Sequence, residues 1–156
     1  MKTENLSELS QHIYSKADSL YEFVLKYNDM MHDLHDYGDG QMLNMIEMHL
    51  VSYIDQNPGI TVSKLAKMWN RTKGAISQQV KKLEANGYIN KVKHDSNGRV
   101  ILLYTSESGK KLSSKHINYD VLEIMKTTQL LLQNCTSEEV DAFFKVVGEY
   151  IKILNA

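Results

Sequence analysis

The chain has one cysteine, Cys135, and one proline among 156 residues. A lone cysteine excludes an internal disulfide framework. Scarce proline, with only eight glycines, leaves few points of interruption and favours long helices. No apolar run approaches the roughly 20 residues of a membrane span. The opening residues, Met1-Lys2-Thr3-Glu4-Asn5-Leu6, lack the apolar stretch of a secretory signal, so a cytoplasmic protein is expected. A phosphate-binding glycine loop, a nucleophile elbow and a Cys-x-x-Cys pair are all missing. No enzyme, no cofactor and no metal is therefore expected. What is present is enough apolar material for a core, 42% of residues, which excludes global disorder. The length fits one domain, residues 1–156.

Charge is unevenly placed. Residues 1–59 hold three basic and ten acidic side chains, a net of −7. Residues 60–99 hold nine basic and two acidic ones, a net of +7. The rest, residues 100–156, nets −1. A basic block inside an acidic chain suits a polyanion-binding surface; a solvated lysine-rich face is the plainer alternative.

Apolar spacing divides the chain. Leu6, Leu9, Ile13, Ala17, Leu20, Val24, Tyr27, Met31 and Leu34 recur by threes and fours, which predicts a long amphipathic helix over 6–37. Tyr37-Gly38-Asp39-Gly40 should end it. A second helix is expected from about Gln41 to Asp55, stopped by Asn57-Pro58-Gly59. A short helix opened by Thr61 or Ser63 follows, then the turn Asn70-Arg71-Thr72. Thr72 is a good N-cap for a helix from Lys73 to about Asn86, with Ile76, Val80 and Leu83 buried and Gly87 ending it. The period then changes to a strand pair, 88–93 and 99–104, with a polar tip. Two more helices are expected within 107–154.

Short helix, tight turn, amphipathic helix and basic hairpin make a winged helix-turn-helix, over 41–104. The fold class expected is mainly α with a small β-hairpin wing. A helix fits the major groove of double-stranded DNA. With Ile76 as the buried direction, Gly74, Gln78, Lys81 and Ala85 lie opposite, with Ser77 and Lys82 beside them. Gln78 offers paired donor and acceptor contacts to adenine, and Ser77 and Lys73 reach bases or phosphates. Gly74 admits a close backbone approach. Lys64, Lys67, Lys81 and Lys82 suit phosphate contacts. The recognition-helix candidates are thus Arg71, Thr72, Lys73, Gly74, Ala75, Ser77, Gln78, Lys81 and Lys82. Those of the wing are Lys93, His94, Asn97 and Arg99, the last suited to a narrow minor groove.

At these residues the sequence resembles the MarR family of bacterial regulators. The matches are Thr72-Lys73-Gly74-Ala75-Ile76-Ser77, then Leu83-Glu84-Ala85-Asn86-Gly87-Tyr88-Ile89, then Ser-x-x-Gly at Ser106 to Gly109. The wing departs: Asn97-Gly98-Arg99 stands where the family commonly has Asp-Arg-Arg or Asp-Lys-Arg. The resemblance implies a homodimer built from the helices at 6–37 and 107–154. It further implies a repressor of a pseudo-palindromic operator, modulated by a small effector of unknown identity. Met31, Met45, Met48, His49 and Tyr53 are the candidates for an effector pocket, with core packing as the alternative for the methionines.

Two other readings stay open. Some relatives sense zinc, and His32 and His35, with His49, Glu47 or His116, offer ligands for a metal-responsive regulator; the alternative is surface histidines. A winged-helix protein-interaction module would instead need an apolar or acidic recognition face. Cys135 is read as an inert thiol rather than a redox sensor.

Overall fold

A computed structural model describes residues 2–38, 40–94 and 97–156, with side chains except those of residues 2–9, 12, 13 and 97–99. The order is α1 (Lys2–His32), β1 (Leu34–Asp36), β2 (Met42–Asn44), α2 (Met45–Gln56), β3 (Ile60–Thr61), α3 (Val62–Met68), α4 (Lys73–Ala85), β4 (Ile89–His94), β5 (Asn97–Thr105), α5 (Glu107–Leu131) and α6 (Ser137–Leu154). The fold is mostly helical with small antiparallel sheets, a winged helix. The chain divides into two compact units, Met1–Ser113 and Ser114–Ala156, with the boundary inside α5.

In the first unit, β4 and β5 form the wing and β3 adds a third strand, in the order β3-β5-β4. Val92 faces Leu102, and the register shifts between Lys93 and His94. The core gathers Leu43, Leu50, Val51 and Ile54 from the α2 side, Leu65 from α3, Val80 and Leu83 from α4, and Leu103 from β5, all fully buried. Ile76, Val80 and Leu83, spaced by four and three, give α4 its single buried stripe.

Local chemistry fixes the ends of these elements. Thr61 and Thr72 cap α3 and α4, each hydroxyl accepting a backbone N–H, from Lys64 at 3.3 Å and Ala75 at 3.2 Å. At the far end of α4, Gly87 N–H donates to Glu84 O and Tyr88 N–H to Leu83 O, a Schellman closure. That closure needs the left-handed conformation, and Gly87 supplies it with φ 78°.

The region between the first two helices differs from expectation. The first helix stops at His32 and not near Tyr37, and residues 34–36 and 42–44 pair as a hairpin. Asp36 drives the turn: its carboxylate accepts N–H groups from Gly38 at 2.7 Å and Gly40 at 3.0 Å. The second helix begins at Met45 and not Gln41, because Asn44 and Glu47 form a capping box.

In the second unit, α6 starts from a second capping box, Thr136 with Glu139. His116 Nε2 lies 3.2 Å from Asp120 Oδ2, one turn along α5. Cys135 is exposed and unbridged. Among the described residues, no helix is long and apolar enough to cross a membrane.

Candidate nucleic-acid interface

The interface is assembled by the four residues between α3 and α4, Trp69 to Thr72. Trp69 N–H closes α3 on Leu65 O, and Arg71 N–H returns to Ala66 O at 2.9 Å. Between them Asn70 takes φ 48°, a conformation asparagine tolerates better than most side chains. The chain thereby reverses in three residues and delivers Thr72 to cap α4.

Arg71, Thr72, Lys73, Gly74, Ala75, Ser77, Gln78, Lys81 and Lys82 are all exposed, while Ile76 and Val80 between them are buried. One side of α4 is anchored and its other side is presented to solvent with amide, hydroxyl and ammonium groups. A Cβ at Gly74 would meet only Thr72 Oγ1, at 4.0 Å, so the N-terminus of α4 is open to a close partner. Lys64 and Lys67 of α3 are exposed as well. Among the described residues, the ion pairs involving the basic segment are Lys91 with Glu84 and Lys82 with Glu47, each at 2.6 Å. Lys64, Lys67, Arg71, Lys73 and Lys81 take part in none of them.

Lys93 and His94 are exposed on β4 beside the hairpin tip. The side chains of Asn97 and Arg99 lie outside the described residues. The wing is braced at its base. Thr105 Oγ1 donates to Asp55 Oδ1 of α2 at 2.7 Å. Ser106 and Ser108 hydroxyls donate to Gly87 O at 2.6 and 2.8 Å. Ser106 Oγ also caps α5 by accepting Gly109 N–H at 3.1 Å. The Ser-x-x-Gly sequence therefore ties the end of the recognition helix to the end of the wing.

This arrangement coincides with a match to the MarR family model over residues 43–101. Two regulators of Bacillus subtilis (strain 168), both described as uncharacterised HTH-type transcriptional regulators, are similar. YybA is 32% identical over 67% of this chain and 63% of its own length. YhjH is 30% identical over 54% of this chain and 48% of its own. The matched segment, residues 43–101, belongs to the MarR family. The chain spans about half to two thirds of the length of these two relatives. The fold of Streptococcus pneumoniae FabT, solved in complex with DNA, superposes with a TM-score of 0.67 at 22% identity, covering 93% of this chain and 96% of that one.

In the same unit, Met1–Ser113, a cavity of about 460 Å³ opens beside α2. Met31, Met45, His49 and Tyr53, four of the five expected pocket residues, line it together with Ile46, Ser52, Gln56 and Trp69. Met45, His49 and Tyr53 recur every four residues, so one face of α2 forms the wall. Met48 is not part of the lining; it is fully buried in the core. Tyr53 Oη donates to Met68 Sδ at 3.1 Å, joining the wall to α3. Sequence reasoning missed Ser52, whose buried Oγ has no hydrogen-bond partner among the described residues. It also missed Trp69; the four-residue step from Tyr53 predicts neither.

The histidine reading fares differently. His32 Nδ1 lies 2.7 Å from Asn28 O within α1, and the His35 ring sits edge-on to Tyr37. Among the described residues neither belongs to a group of three convergent metal-ligand side chains. Glu47 is engaged with Lys82 and Asn44.

Proposed function

We propose that this chain is a cytoplasmic bacterial transcriptional regulator of the MarR family that binds double-stranded DNA as a homodimer and represses from a pseudo-palindromic operator. The observation that carries the DNA reading is the exposed face of α4. It unites Ser77 and Gln78 with unpaired cations, inside the segment of net charge +7. Lys64, Lys67, Arg71, Lys73 and Lys81 supply sequence-independent attraction, Gln78 reads a base edge, and the first-turn N–H groups of α4 receive a phosphate.

A second copy is the partner that suits the apolar faces. In α6, Phe143, Phe144, Tyr150, Ile151 and Leu154 are each at least 47% exposed. Such a face in water favours self-association. Two protomers would place two copies of α4 about one helical turn of DNA apart.

The cavity suits an effector with an apolar body and one hydrogen-bonding group. Methionine, isoleucine and aromatic walls accept the former, and the unpartnered Ser52 hydroxyl accepts the latter. Trp69, the single tryptophan, lines it and reports occupancy by its fluorescence. An effector acts by binding one conformation better than another.

The test is a salt titration on random duplex DNA, then selection of bound sequences from a random pool. At about 0.9 per neutralised phosphate, five cations give a slope of log K on log salt of up to about −4.5 per protomer. A slope near zero defeats the DNA reading. Selection should return an inverted repeat; a single asymmetric site defeats the dimer.

A further inference from the structure

Lys82 stands apart from the other basic residues of α4. Its Nζ lies 2.6 Å from Glu47 Oε1, and the Glu47 side chain is only 2% exposed whereas that of Lys82 is 48% exposed. Glu47 belongs to the first turn of α2, where its other oxygen, Oε2, accepts Asn44 N–H at 3.2 Å. The carboxylate is thus shared between the start of one helix and the flank of another. The pair spans 35 positions of sequence, unlike the exposed i,i+3 and i,i+4 pairs such as Lys26 with Glu22, which contribute little.

We propose that Glu47 is a positioning residue for DNA recognition, holding the Lys82 ammonium away from the phosphates and fixing α4 against the first turn of α2. The proposal rests on the reading of α4 as the recognition helix. Lys82 lies four residues after Gln78, so both occupy one face of α4, a turn apart. A restraint at Lys82 sets the rotation and tilt of the helix where Gln78 meets a base. Drawing Lys82 off to a phosphate would leave Glu47 buried and unpaired, a strongly unfavourable state. Lys82 is therefore a strut and not one of the sequence-independent contacts.

The test compares the wild-type protein with Glu47→Gln, Lys82→Met, the double variant and Lys82→Arg. Two probes are used: random duplex DNA across a salt series, and the operator recovered by selection. Glu47→Gln keeps the shape of the capping residue and releases the ammonium. It should steepen the salt slope by about 0.9 per protomer, one added phosphate contact. It should also lower the ratio of operator to random-duplex affinity about tenfold, the worth of one base contact. Lys82→Met should leave the slope unchanged and lower the ratio equally. The double variant should match Lys82→Met in both slope and ratio, and Lys82→Arg should retain the wild-type ratio. A slope that flattens by about 0.9 in Lys82→Met with an unchanged ratio would make Lys82 an ordinary phosphate contact and overturn the proposal. A wild-type slope and ratio in Glu47→Gln would overturn it too. If Lys82→Met does not fold, judged by its thermal melt, Glu47→Gln and Lys82→Arg decide alone. A wild-type slope near zero refutes DNA binding itself, an outcome separate from these.

Discussion

Replacing Gly109 by alanine should damage the fold at the junction of recognition helix and wing. The added Cβ would collide with the Tyr88 carbonyl oxygen and stand 3.1 Å from the Tyr88 carbonyl carbon and 3.3 Å from Thr105 Cβ. The closest obstacles are backbone atoms, so no flexible side chain can swing aside. Tyr88 and Ile89 are 2% and 1% exposed, which pins that backbone in the core. The carbonyl also accepts Ser106 N–H at 2.9 Å, and a shift large enough to clear the methyl group strains that bond.

Overpacking of this kind costs about 1–3 kcal/mol, and a lost hydrogen bond about 0.5–1.5 kcal/mol. Alanine recovers about 1 kcal/mol through its higher helix propensity in the first turn of α5. The net is a loss of roughly 1–3 kcal/mol. For a chain of this size each 1 kcal/mol moves the midpoint by about 2–4 °C, so a fall of roughly 2–12 °C is expected. Thermal melts followed by circular dichroism measure it, at one fixed protein concentration because self-association shifts Tm. An unchanged or raised Tm would refute the argument that backbone approach requires glycine here.

Gly74→Ala should do the reverse at a similar helix position. Nothing obstructs the methyl group, so stability should hold or rise by up to about 1 kcal/mol while affinity for duplex DNA falls; an unchanged affinity would remove the close-approach role. Thr72→Ala removes the α4 cap and should cost about 1 kcal/mol in a urea melt. Stability should also decline in acid. Hydrogen bonding to Lys110 first, then its charge, hold Glu107 below the ordinary value of 4.5; hydrogen bonds from the Glu138 backbone and then the Thr136 and Ser137 hydroxyls do the same for Glu138. A depressed carboxylate contributes stability above its unfolded value and loses it as pH falls through the folded one. Tm should therefore drop below about pH 4.5, and Glu138→Gln should make that drop shallower.

The recognition motif was legible because its signals are local. A threonine cap, an i, i+4, i+7 stripe and a glycine at C′ are each written within a few residues, and α4 formed where they predict. The hairpin of β1 and β2 was not legible. Leu34 continues the apolar spacing of α1, and three-residue strands carry no usable periodicity. The Asn44-x-x-Glu47 capping box was present in the sequence and would have moved the start of α2 to Met45. Three cavity residues, Met45, His49 and Tyr53, follow a four-residue step along α2, and the fourth expected one, Met31, comes from α1. The Lys82–Glu47 pair was not legible, because 34 intervening residues separate partners that only tertiary folding brings together.

The charge pattern gains meaning from that pair. A segment of −7 followed by one of +7 invites the expectation of mutual neutralisation. Among the described residues, only Lys82–Glu47 joins the two segments; the other pairs fall within a segment, as with Lys91–Glu84 and Lys26–Glu22. Exposed charges separated by more than about 8 Å at physiological salt hardly feel one another. The cations of α3 and α4 that form no ion pair among the described residues remain available to a polyanion even though the chain is formally near neutral. The single crossing pair spends its cation on geometry. At about 100° per residue along α2, Glu47 projects from the side opposite Met45, His49 and Tyr53. The helix that walls the cavity is therefore also the one tied to α4 through its other face.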